Sequence, residues 1–344
     1  LGSLTSTNAN GVVVAGGNLS TGTLTFGSGT GNITTDASNV LTVTGTTVGS
    51  VVRTSATAYV NGPLALTLPA SLAATTYTWP IGKSALNTFA LVGATTNAGG
   101  TVTVQAEAFD GASGGTPGLN ISAISSTKYW AASITAGAAN FTDSLIQLGD
   151  VPTGRDAIAA SATQGGAYDL QGGVTVTTTG TTMTTTAPAN TTLPGFFLMG
   201  NKAAADITNV VISPAGNQCT NVARTVTADV TPGGGAVTSV VINWTLNGVA
   251  QTPVTMTATT SNGFPLLDSY TGTIPTVTPA NATVAWSITA TDSNTLVKTV
   301  TGTTYKDEPL FGMASASAST LAICNGASTT LTAVLTSPGS AAIG

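Results

Sequence analysis

Residues 59–83 read YVNGPLALTLPASLAATTYTWPIGK, and this stretch decides the fold class. It holds two strand-like runs, each stopped by Gly/Pro punctuation. Asn61-Gly62-Pro63 makes the first stop and Pro80-Ile81-Gly82 the second. Glycine supplies backbone angles that other residues avoid, and proline cannot donate to a ladder, so both end strands. Upstream, the chain reads as short Thr/Gly-rich strands. Downstream, it reads as the longer strands of β-sandwiches.

Composition points the same way. Charged residues make up only 6% of the 344, against about 25% in an average soluble domain. Polarity is carried by Thr, Ser, Asn and Gly, which suit strands and turns. The longest apolar runs, such as Phe196-Phe197-Leu198-Met199, fall far short of the ~20 residues of a spanning helix. The sequence therefore predicts an all-β protein of tandem β-sandwich domains with no transmembrane segment. Eight basic residues are scattered without a stripe and the net charge is −5, which excludes nucleic acid as a partner. The chain has no histidine, which removes the commonest general base and metal ligand. It begins at Leu1 without a signal-like segment, so the expectation is a mature or partial chain.

In order, residues 1–56 carry short runs at 12–14, 24–26 and 40–43 separated by glycines, and predict a β-rich spacer or solenoid-like rungs. Residues 57–203 predict one β-sandwich module. In 101–109, Val102, Val104, Ala106 and Ala108 share one face while Thr103, Gln105 and Glu107 share the other, the period of a half-buried strand. The motifs Val60-Asn61-Gly62-Pro63-Leu64 and Tyr77-Thr78-Trp79-Pro80-Ile81-Gly82-Lys83 carry a resemblance to a module of Bacteroidetes surface proteins, many of them type IX secretion cargo. Trp79 stands where that module usually has Phe, and Ala65-Leu66 where basic residues often follow. Lys128-Tyr129-Trp130 and Leu193-Pro194-Gly195-Phe196-Phe197 resemble its later strands. The resemblance implies an exported, extracellular or cell-surface chain and brings no catalytic residues with it.

Residues 207–312 change pattern. Val240, Ile242, Trp244 and Leu246 alternate with polar or smaller residues, Asn247-Gly248 offers a tight hairpin turn, and Val284, Trp286, Ile288 and Ala290 share a face. Six or seven strands with an inward Trp predict an immunoglobulin-like sandwich. The segment from Cys219 recurs from Cys324, an offset of 105 residues, with Thr225/Thr330, Thr227/Thr332, Ala228/Ala333 and Thr231/Thr336 identical. Residues 313–344 then predict the first strands of a second, truncated immunoglobulin-like sandwich in a longer tandem array.

The chemistry-bearing residues are few. Glu107 and Asp110 are the carboxylate pair available for glycosidic hydrolysis, although a solvated Glu107 is the simpler expectation. Asp110, at the head of a Gly-rich loop, and Asp307-Glu308, read as an inter-domain linker, are the candidates for calcium. Ser144, in Asp143-Ser144-Leu145, matches a short bacterial O-glycan site. The four tryptophans, Trp79, Trp130, Trp244 and Trp286, read as core. Cys219 and Cys324 occupy equivalent repeat positions, which argues against a bond between them because a bridge needs Cα atoms within about 7 Å. The expectation is a non-catalytic segment of a large exported surface protein, an adhesin stalk, display scaffold or filament component. Its partners would be other domains of the parent chain, further copies joined through sheet edges, and surface glycans. The alternative is an accessory, glycan-binding region of a secreted polysaccharide-degrading enzyme.

Overall fold

The structure, a computed structural model, describes residues 1–29, 31–171, 176–186, 193, 195–218, 220–279 and 281–307, and the backbone of two strands beyond. The chain is all-β with several sheets and divides into two compact units, Leu1–Ala203 with Gly233–Gly235, and Ala204–Pro232 with Ala236–Gly344.

The first unit begins as a solenoid of three rungs. The first rung is β1 (Ser3–Ser6), β2 (Val12–Val13) and β3 (Leu19–Thr21). The second is β4 (Thr23–Phe26), β5 (Ile33–Thr34) and β6 (Leu41–Val43), and the third β7 (Val51–Arg53), β8 (Val60–Asn61) and β9 (Leu64–Leu68). Every ladder between rungs is parallel, giving three faces ordered β1-β4-β7, β2-β5-β8 and β3-β6-β9. Parallel register stacks like on like, so Leu19, Leu41 and Leu64 form one apolar column and Val12, Ile33 and Val60 another. Ile81 adds a fourth layer to the second column through a parallel bridge to Val60. The corners are too tight for side chains. A Cβ on Gly45 would sit 2.2 Å from the Gly22 carbonyl oxygen, and one on Gly22 would sit 2.5 Å from that of Gly2. Asparagine side chains tie rung to rung: Asn18 Oδ1 accepts from the Val40 amide and Asn32 Oδ1 from that of Tyr59.

The third rung passes directly into a sandwich. β9 pairs in parallel with β6 on one side and antiparallel with β12 (Val102–Asp110) on the other. The boundary expected between 56 and 57 therefore falls within a rung, because the Asn61-Gly62-Pro63 stop is a solenoid corner and not a domain joint. Sandwich strands before and after β12 are β10 (Thr75–Trp79), β11 (Phe89–Thr96), β13 (Thr116–Pro117), β14 (Ile121–Ile124), β15 (Lys128–Ala136), β16 (Phe141–Leu148), β17 (Ala157–Ser161), β18 (Ala167–Leu170), β19 (Val176–Thr179), β20 (Thr182–Thr185) and β21 (Phe196–Lys202). The larger sheet runs β13-β18-β17-β21-β15-β12-β9-β6-β3, with β14 on β21, and the smaller runs β10-β11-β16-β20-β19. They share one core, in which Trp79 meets Phe89 edge-on at 5.7 Å and Phe89 meets Phe197 at 5.7 Å. A second cluster covers the other face of the larger sheet, where Phe109 stacks on Tyr129 at 4.6 Å and Leu198 is buried. Both faces of β21 are thus covered, which is why 196–199 is a continuous apolar run rather than an alternation.

The second unit holds β22 (Asp206–Ser213), β23 (Arg224–Thr231), β24 (Val237–Leu246), β25 (Val249–Ala250), β26 (Val254–Thr255), β27 (Thr257–Ala258), β28 (Asp268–Ile274), β29 (Thr283–Asp292), β30 (Val297–Thr301) and β31 (Tyr305–Lys306). One sheet runs β22-β23-β28-β27. The other runs β25-β24-β29-β30, with β26 on β24 and β31 on β29. Val226, Val230, Ile242, Val284 and Ile288 fill the core between them. Asn247 and Gly248 both have positive φ (51° and 83°), as the two-residue turn between β24 and β25 demands. Trp286 is buried against Gly302, where a Cβ would lie 2.1 Å from the indole, but Trp244 is only half-buried. Beyond residue 307, β32 (Gly312–Ala318) pairs antiparallel with β33 (Leu331–Thr336). Each ends 105 residues after its counterpart in the β22–β23 pair (213 to 318, 231 to 336), the offset of the sequence repeat.

Candidate functional site

The residues singled out from sequence do not converge. Glu107 and Asp110 both lie on β12, but a spacing of three sends their side chains to opposite faces. Lys83 Nζ donates to Glu107 Oε1 at 2.8 Å and lies 5.3 Å from the Phe109 ring centre, so Glu107 is ion-paired rather than simply solvated. Asp110 Oδ2 accepts from the backbone amide and the hydroxyl of Ser84 at 3.2 and 2.5 Å, closing the turn that follows Pro80-Ile81-Gly82. Two carboxylates held by separate partners on separate faces do not form a hydrolytic pair. Among the described residues no three Asp, Glu, His or Cys side chains gather as a metal site.

Asp307 corrects the reading of a solvated linker. It is 2% exposed and ion-paired with Arg224, itself fully buried, across 83 residues of sequence. The guanidinium also donates to the Pro214 carbonyl oxygen and lies 4.4 Å from the Tyr305 ring centre. Burial, partly offset by the nearby Arg224 cation, pushes the Tyr305 phenol up to about 12. The cluster joins the start of β23 to the end of β31, so it fastens two segments 83 residues apart in this unit. Glu308, Cys219 and Cys324 lie outside the described residues.

Ser144 is also corrected. It shares the inward face of β16 with Ile146 and Leu148, is 1% exposed, and its hydroxyl has no hydrogen-bond partner. A folded chain cannot present it to a glycosyl donor.

Open surface is found elsewhere. One cleft of about 230 Å³ lies between the solenoid and β10, lined by Val43, Ser50, Arg53, Tyr77 and Pro80 among others. Arg53 is spoken for: its Nε and Nη2 hold the Ser55, Ala56 and Ala58 carbonyls, and burial lowers its pKa from the ordinary value. Tyr77 donates its hydroxyl to the Thr46 carbonyl. Arg53 braces the corner between β7 and β8 and Tyr77 the turn between β6 and β7, which leaves little free to bind.

A second opening lies where the loop 149–156 crosses the sandwich, lined by Thr127, Lys128, Trp130, Asp150 and Arg155 among others. An adjoining lobe shares Lys128, Asp150 and Val151 with it and is walled by Asn87 and Thr182. The sequence reads Lys128 and Trp130 as strand and core and does not join them to Asn87, Asp150, Arg155 or Thr182, because these come from separated segments. The one available signal was Arg155, one of three arginines in a charge-poor chain, sitting in a Pro/Gly-rich loop. Neither a protein-family model nor a curated protein matches this chain.

Proposed function

We propose that this chain is a non-catalytic segment of an exported cell-surface protein, serving as an adhesin stalk or display scaffold. The observation that carries this reading is β9, which belongs at once to the last rung of the solenoid and to the larger sheet of the sandwich. Through that strand one face of the solenoid and the larger sheet of the sandwich form one continuous ten-stranded sheet, suited to bearing load between neighbours. A second β-unit follows, with a strand pair repeated at the 105-residue offset, as expected of a tandem array. The resemblance of 59–83 to surface modules supports the same location. The test is surface labelling of intact, unpermeabilised source cells with antibodies raised against residues 1–307. Labelling that is lost on brief external proteolysis is expected. Labelling that requires permeabilisation overturns the proposal.

The alternative, an accessory glycan-binding region of a polysaccharide-degrading enzyme, gains support from the groove at Lys128 and Arg155. Finding a catalytic domain on the same parent polypeptide favours it.

A further inference from the structure

The groove flanking the loop 149–156 has two lobes of about 370 and 360 Å³ that meet at Lys128, Asp150 and Val151. Its charge is uneven. Lys128 Nζ lies 3.5 Å from Asp150 Oδ2, longer than the 2.7–2.9 Å typical of a charge-assisted hydrogen bond. Arg155 has no carboxylate partner among the described residues. Its Nη1 donates to Asn201 Oδ1 at 2.7 Å, and Asn201 is in turn fixed by donating to the Gly154 carbonyl at 2.7 Å. The guanidinium is therefore aimed by a neutral partner and makes no ion pair among the described residues. A planar fork held in this way matches a carboxylate.

The second lobe holds an unpaired acceptor. Asn87 is 3% exposed; its Nδ2 donates to the Gly149 carbonyl at 3.3 Å, while its Oδ1 accepts nothing. A buried acceptor left unpaired is costly, and a ligand hydroxyl supplies the missing donor, directly or through one water. Threonine hydroxyls line both lobes, with the buried Trp130 and Met199 at the base of the first.

We infer that this groove binds a carboxylate-bearing oligosaccharide, with the sugar acid on Arg155 and sugar hydroxyls toward Asn87. The inference goes beyond the scaffold reading and is independent of where the chain is displayed, so the two fail separately: cell labelling tests location and the following titration tests the ligand. Isothermal titration of the full chain uses tetragalacturonate as probe, with maltotetraose and tetraglutamate as comparators. Saturable binding of the uronate is expected, weakening as salt is raised, with each comparator at least tenfold weaker. Arg155→Gln weakens the uronate at least tenfold. Val151→Trp, a change at an exposed side chain where the lobes meet, abolishes binding while leaving the circular dichroism unchanged. Lys298→Gln, which removes an exposed cation from the other unit, leaves the affinity unchanged. Absence of uronate binding at millimolar concentration overturns the inference. So does equal affinity for maltotetraose or tetraglutamate, or full binding by the folded Val151→Trp protein.

Discussion

Removing the Arg224 guanidinium while leaving Asp307 in place is expected to destabilise the second unit strongly. In Arg224→Met the Asp307 carboxylate remains at 2% exposure with its ion-pair partner gone. The Pro214 carbonyl loses a donor and the Tyr305 ring loses a cation at 4.4 Å. Breaking one side of a buried pair costs about 3–5 kcal/mol, a figure that already contains much of the smaller losses. A domain of about 100 residues shifts by about 4–8 °C per kcal/mol, so the unit should melt at least about 12 °C lower. The double variant Arg224→Met/Asp307→Leu removes both charges and fills the space with apolar volume. It should fall within about 1 kcal/mol of the parent, or exceed it, because the desolvation of two charges is also removed. Urea titration read by hydrogen-exchange mass spectrometry on peptides from β23 and β29 separates this unit from the first. A loss below about 1 kcal/mol for Arg224→Met would refute the assignment of a buried, mutually dependent pair. A double variant as unstable as the single one would show that shape, not charge, holds β31 in place.

Three further outcomes are expected. Tyr305 titrates near 12 in the folded chain and at about 10 once unfolded. Between those values the unfolded state binds fewer protons, so stability falls as pH rises from about 10 to about 12. Ultraviolet difference titration should show a last phenol ionising there that is missing in Tyr305→Phe. Gly45→Ala forces a methyl to 2.2 Å from the Gly22 carbonyl oxygen and should cost about 1–3 kcal/mol, whereas Gly49→Ala, with its nearest neighbour at 3.9 Å, should be nearly silent in the same thermal melts. Ser144→Ala deletes a buried hydroxyl with no partner and should leave stability unchanged or raise it; a clear loss in calorimetry would mean the hydroxyl is satisfied by a water.

The fold was legible where hydrophobic period was strong. The alternating residues 102–108 and 284–290 lie in β12 and β29, where burial alternates residue by residue. β17 to β20 were not legible. Ala157–Ser161 has small side chains with no polar alternation, since both its faces are buried, and Thr182–Thr185 is nearly all threonine. The candidate sites fared worse. Asp307 looked like linker because its partner is 83 residues away, and Ser144 looked modifiable because a three-residue motif carries no information about which face of a strand it occupies.

Residues 59–83 show where the division lies. The sequence alone determined that this is an all-β chain, that Gly and Pro punctuate it there, and that a sandwich pattern recurs at 105 residues. Those properties follow from local backbone freedom and side-chain period. Only the tertiary structure decided that Asn61-Gly62-Pro63 is a solenoid corner, with Thr35 Oγ1 donating to the Pro63 carbonyl at 2.9 Å, and that Ile81 extends a column begun at Val12. The same holds for the groove at Arg155 and the Arg224–Asp307 pair. Each is made by segments tens of residues apart, and register, not spacing along the chain, brings them together.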